Sequence, residues 1–187
     1  MLKTGYEEAI RIGREKLAGL DPKIICERTA SKYENGQYTV RWTGQWRALM
    51  EGNAAEQIVW LHYLTAEGAK KPTGKLIAYR EIPGAAFYEP VFMKRASRPI
   101  VKRFGNNPAG LLKAGEPFGG TPAEYGDCAV AIPVLPYVPV TYIVWRGDGE
   151  LPAEASVLFD ESAKGWLCAE DLAVLASLGA YALVKFQ

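Results

Sequence analysis

His62 is the only histidine in the chain, and that fact bounds its chemistry. One imidazole cannot build a histidine-rich metal site or any two-histidine mechanism. A Cys-His pair stays open, because Cys26, Cys128 and Cys168 are present. The neighbours Leu61, Tyr63 and Leu64 are apolar, so a hydrogen-bonded core histidine is the ordinary alternative to a catalytic one. Cys168 stands beside an expected helix N-terminus, a position that lowers a thiol pKa, whereas a buried structural thiol is the plainer outcome. The three cysteines are far apart and form no CxxC, so neither a disulfide framework nor a zinc ribbon is readable. The expectation is no intrinsic metal centre.

Charged residues supply three further candidates. Arg80-Glu81 closes an apolar run just before Ile82-Pro83-Gly84, where a strand end can open on a pocket. An arginine fork there suits a carboxylate or phosphate, and the competing reading is a surface ion pair of little energetic value. Lys94, Arg98 and Lys102 recur at i, i+4 and i+8, which gives one helix face three positive charges, widened by Arg95 and Arg103. Such a face can hold a phosphate or carboxylate, although charge runs are more often simply solvated. Asp127, Asp148 and Asp160, with Glu150, lie near strand ends, where two could meet as a carboxylate pair or merely cap turns. Phe118-Gly119-Gly120-Thr121 matches neither a P-loop nor GxGxxG and reads as a turn.

The elements that position these residues follow from hydrophobic period and breakers. Pro133–Asp160 joins an apolar β-branched run, an acidic turn and a second short apolar run, and is expected to form the middle of a sheet. Thr4 and Glu7 read as a capping box opening a first helix, ended by Gly19. Asp21-Pro22 opens a second. Glu34-Asn35-Gly36-Gln37 is a turn signal before a strand at Tyr38–Trp42, whose hairpin partner starts at Trp46. Asn53 and Glu56 cap a largely apolar helix stopped by Gly68. Leu76–Tyr79 reads as a strand, and 87–104 as a long helix that Pro90 and Pro99 must enter or kink. A short helix at Leu111–Ala114 and a Gly/Pro loop over 116–126 follow. Cys128–Ile132 and Val138–Trp145 read as strands, with Pro133, Pro136 and Pro139 implying an edge, a bulge or a bent crossing. Asp148-Gly149 is a hairpin-type turn, Ala155–Phe159 a short strand or turn, and Glu170–Val184 an apolar core or interface helix.

Helices and strands are intermixed without a regular βαβ series. That predicts one α+β domain over 1–187 with a mainly antiparallel sheet joining the 38–49 hairpin to Leu76–Tyr79, Cys128–Ile132 and Val138–Trp145. The 187 residues are 49% hydrophobic and 23% charged, ordinary globular values that argue against disorder. A formal net charge of +1 provides no global field toward nucleic acid or a membrane surface. Charges interrupt the apolar pattern of MLKTGYEEAIRIGREKL, so it reads as neither a signal peptide nor a transmembrane span. A cytoplasmic location with reduced thiols is the expectation.

Several blocks together resemble a known family. YREIPGAAFYEPVFMKRASRPIVKRFG, GDCAVAIPVLPYVPVTYIVWRGDGELPAEASVLFDESAKGWL and AEDLAVLASL are similar to the signature blocks of an uncharacterised domain-of-unknown-function family, DUF3786, of anaerobic bacteria and archaea. The resemblance extends to YEEAIRIGREKLAGLDP and LHYL and covers nearly the whole chain. Some relatives are similar to this domain plus a cysteine-rich iron–sulfur segment, which implies anaerobic redox or metallocofactor metabolism. Without that segment the chain would not hold such a cluster alone. Relatives place Pro-Thr before the Glu-Asp of the last helix, where this chain has Cys168-Ala169, so the helix start should be weaker. The family carries over no catalytic residues.

The functional expectation is a cytosolic accessory domain that binds a small anionic or cofactor-like ligand through Arg80, Glu81, His62 and the face of Lys94, Arg98 and Lys102. An iron–sulfur or other metallocofactor protein is a candidate partner. One alternative is a hydrolase or transferase using Asp127, Asp148 and Asp160; another is a structural subunit docking through the C-terminal helix.

Overall fold

The computed structural model describes residues 2–148 and 150–186, with side chains described from Gly5 onward. Helix α1 runs Leu2–Ala18, so Thr4 lies inside it rather than capping it. The Asp21 side chain accepts from Lys23 N–H at 2.8 Å to open α2, Pro22–Thr29. A small antiparallel sheet follows, made of β1 Lys32–Glu34, β2 Gln37–Trp42 and β3 Gln45–Ala48. Helix α3, Ala54–Thr65, opens with a reciprocal capping box. Glu56 N–H donates to Asn53 Oδ1 at 3.1 Å and Asn53 N–H to Glu56 Oε2 at 2.9 Å. It ends at Thr65, three residues before Gly68.

The main sheet has the order β4-β8-β7-β6-β5, with every pairing antiparallel. Its strands are β4 Leu76–Ala78, β5 Thr121–Ala123, β6 Cys128–Leu135, β7 Val138–Trp145 and β8 Glu154–Asp160. The fold is therefore α+β. The stretch Pro133–Asp160 supplies the interior strands β7 and β8. Residues Val140 to Val144 are buried without alternation, as a strand covered on both faces requires.

Several expectations need correction. The 38–49 hairpin belongs to the separate three-stranded sheet, and a hydrogen bond from Thr43 N–H to Val134 O at 3.0 Å ties it to β6. Tyr79–Glu81 is a short 3-10 turn rather than strand. Strands β1 and β5 carry no alternating apolar pattern that would reveal them. Pro133 and Pro139 face each other in the interior β6–β7 hairpin, with a register shift beside Pro133. They are tolerated because β5 pairs β6 only up to Ala131, and β8 pairs β7 only from Val140, so neither missing N–H interrupts a third strand. The turn expected at Asp148-Gly149 falls partly on Gly149, which lies outside the described residues.

The long helix expected over 87–104 is α4 Glu89–Phe92, a π-helical turn Met93–Ser97 and α5 Arg98–Phe104. Proline at 99 has no N–H to return to the preceding turn, and the widened turn accommodates that loss; Arg98 N–H reaches back to Met93 O. After α6 Gly110–Gly115 and α7 Ala163–Trp166 comes α8, Ala169–Lys185. Helix α8 lies directly on β7. Tyr142 donates to Ala176 O at 2.7 Å, and a Cβ at Gly179 would collide with the Tyr142 hydroxyl. Leu172, Leu175, Ala176, Ala180 and Leu183 are fully buried in the core. The apolar face of α8 is thus occupied within the molecule.

Candidate functional site

Two helices set the site. Helix α3 is fixed at its start by the Asn53–Glu56 box and further along by Tyr63, whose hydroxyl donates to Thr29 O at 2.9 Å. Leu61 and Tyr63 are buried, and His62 between them points outward. The first turn of α8 is fixed by Tyr79, whose hydroxyl donates to Ala169 O at 2.9 Å and whose ring stacks on Phe92 at 4.0 Å. Cys168 is the N-cap of α8, yet its side chain caps no backbone N–H.

These constraints bring three side chains together. His62 Nδ1 donates to Asp171 Oδ2 at 2.7 Å, and Cys168 Sγ donates to the same oxygen at 3.2 Å. The Asp171 side chain is 7% exposed and that of His62 is 47% exposed, so a buried carboxylate holds a half-exposed ring. With Nδ1 committed, Nε2 is free to face a ligand. The Asp171 hydrogen bond raises the His62 pKa above its ordinary value; partial burial and Lys16 oppose it, and Glu170 reinforces it. Cys168 behaves differently from the expectation for a helix N-terminus. Burial pushes its thiol pKa up and the Asp171 charge adds to the rise, so the group stays a neutral thiol rather than an activated nucleophile.

The three residues stand at one wall of a cleft of about 410 Å³. Its other walls are Tyr6 and Ala9 of α1, Ala55 and Val59 of α3, and Val174 of α8. A mostly apolar cleft of this size with a few convergent polar groups is what a small-molecule site requires. At the rim, Tyr88 donates to Glu170 Oε2 at 3.3 Å, and the Glu170 charge raises the Tyr88 pKa. The chemistry available is binding, plus holding or moving one proton at His62 Nε2. Among the described residues, no group of three or more His, Cys, Asp or Glu side chains is arranged to hold a metal ion. In this one, Asp171 Oδ2 is itself hydrogen-bonded to the other two.

The other candidates lie elsewhere. Arg80 is exposed on its 3-10 turn, along a separate recess with Ala78 and Phe92. Glu81 Oε1 accepts from Ala78 N–H at 2.7 Å and so caps its own turn. It orients neither His62 nor Lys75, because Asp171 takes the first and Glu161 pairs with Lys75 at 2.8 Å. Lys94, Arg98 and Lys102 do share one groove of about 470 Å³ with Arg103, Pro99 and Val184, and His62 is not in it. A single site made of Arg80, Glu81, His62 and the basic face is therefore not assembled.

The acidic trio does not converge either. Asp127 accepts from Arg146 N–H at 2.7 Å and Asp148 from Leu151 N–H at 2.7 Å, both beyond the Trp145 end of β7. Asp160 lies at the opposite end of β8, opposite Leu76. There it accepts from Thr73 N–H at 2.9 Å, Gly74 N–H at 2.6 Å and Ser162 N–H at 2.9 Å. Burial raises the Asp160 pKa, and these hydrogen bonds outweigh it to leave a net lowering. All three aspartates organise backbone.

Asp171 is the site residue that the sequence reading missed. Its signal is the spacing Cys168-x-x-Asp171, N-cap to N3, the place where an acidic side chain serves a helix start. A model of the family described as "Domain of unknown function (DUF3786)" matches residues 21–182. No curated protein and no solved structure matches the chain.

Proposed function

Because the chain belongs to the DUF3786 family, whose description assigns no activity, we propose its function from geometry: a small-molecule-binding domain whose ligand occupies the cleft between α1, α3 and α8. The observation that carries this reading is the half-exposed His62 ring held by buried Asp171 at 2.7 Å on the wall of a mostly apolar cleft. A core histidine would be enclosed, and an ordinary surface histidine is not held by a buried carboxylate. Glu170 and Asp171 make the polar wall acidic, so the ligand group that meets it is neutral or cationic rather than an anion. Three unpaired cysteines, one of them exposed, support a reducing cytoplasmic setting. An accessory role in anaerobic metabolism follows from the resemblance rather than from the cleft.

A second reading keeps the same residues and adds turnover. His62 oriented through Nδ1 is a serviceable general base at Nε2, so a hydrolase or transferase would use His62 and Asp171 in place of the dispersed aspartates. Cys168, a neutral thiol, would line the site without attacking.

The lone imidazole makes the test direct. Small-molecule fractions from the host are added while the His62 ring signal is followed by NMR. One fraction should shift the signal in the native chain and leave it unmoved in Ala55→Trp, which fills the cleft. If no fraction moves the signal, the reading fails.

A further inference from the structure

The basic groove is independent of the His62 cleft, and we infer that it binds the diphosphate or triphosphate group of a small molecule across Arg98 and Lys102. Charge segregation is the first argument. Between residues 90 and 115 the chain has six Lys or Arg (94, 95, 98, 102, 103, 113) and no Asp or Glu. With a net charge of +1 overall, everything outside that segment carries a net −5. A nearly neutral chain thus has one strongly positive segment, and four of its six cations line one groove.

The second argument is that these cations have no ion-pair partner among the described residues, although Arg103 lies over the Phe104 ring at 5.5 Å. Among the described residues, every ion pair lies elsewhere, on residues such as Arg11, Lys16, Arg47 and Lys75. Lys94, Arg98, Lys102 and Arg103 instead line one groove without a carboxylate among them. The π-helical turn Met93–Ser97 inserts one extra residue per turn between Lys94 and Arg98, and such turns recur at binding sites. Four like charges held along one wall repel one another, a cost that a multivalent anion removes.

Shape and field then select the class of anion. The groove is concave, about 470 Å³, with Pro99 and Val184 as apolar lining, which suits a small molecule. A long polyanion such as RNA would extend past the groove, and the rest of the chain carries a net −5 that disfavours it. Arginine forks bind phosphate oxygens in pairs, and Arg98 and Arg103 share the groove with the ammonium groups of Lys94 and Lys102.

Titration of the full chain with inorganic tripolyphosphate, followed by calorimetry, tests the assignment. The native chain should bind, more weakly as salt rises. The double variant Arg98→Gln/Lys102→Gln should lose about tenfold or more in affinity. Lys23→Gln/Arg41→Gln removes two exposed cations outside the groove and should bind as the native chain does. Matching far-UV spectra of the variants exclude misfolding as the cause. The inference is overturned by no binding to the native chain, by equal affinity in Arg98→Gln/Lys102→Gln, or by an RNA oligonucleotide binding where tripolyphosphate does not.

Discussion

Asp171 links two side chains that would otherwise be unrelated. It holds His62 from α3 and Cys168 from the start of its own helix on one oxygen, and the pKa of each group is raised, by the Asp171 hydrogen bond first for His62 and by burial first for Cys168. The imidazole is stabilised in its charged form, while the thiol is kept in its neutral form. The linkage sign is definite for the histidine. Its folded-state pKa lies above the unfolded value, so its contribution is complete below about pH 6.5 and is lost as pH rises through the raised value. Chemical denaturation of the native chain against His62→Gln should therefore show a larger difference at pH 6 than at pH 8.5. The ring is half exposed, so the change should be only about 0.5 kcal/mol. A difference that grows toward alkaline pH would show that Asp171 does not hold the ring. At this scale the sequence was only partly legible. His62 and Cys168 stand out by rarity and by position, whereas Asp171 looks like any acidic residue in a first helical turn. Its importance comes from a contact with a residue 109 positions away.

The elements place that contact. Helix α8 must lie close against β7 for its first turn to meet α3, and Gly179 permits this approach. Replacing Gly179 with Ala should destabilise the protein by about 1–3 kcal/mol, because the new Cβ meets the Tyr142 hydroxyl, itself fixed on Ala176 O. Thermal melts would check this, and an unchanged midpoint would mean that the helix has room to shift. Element identity was readable wherever local chemistry decides it. Asp21-Pro22, the Asn53–Glu56 box and the run Val138–Trp145 each announce themselves. The three-residue strands β1 and β5 do not, since their pairing comes from a neighbour rather than from their own pattern. The same holds for the partition into two sheets: the 38–49 hairpin satisfies its hydrogen bonds with β1, and nothing local says which sheet it will join.

At the scale of the whole molecule, the two polar features face different tasks. The His62 cleft is acidic and apolar, and the α5 groove is basic, so the two call for ligand groups of different charge. The charges were visible in the sequence, and their separation was not, because it depends on how α3, α5 and α8 are arranged around the core. No described helix is long and apolar enough to cross a membrane. The buried apolar residues of α8 pack on the sheet. The central claim is that the cleft between α1, α3 and α8 is a ligand site, and native mass spectrometry of protein purified from its own host tests it most directly. The account predicts a bound small molecule on the native chain and none on Ala55→Trp prepared in the same way. A native chain without any bound molecule, or the same molecule retained by both, would contradict it.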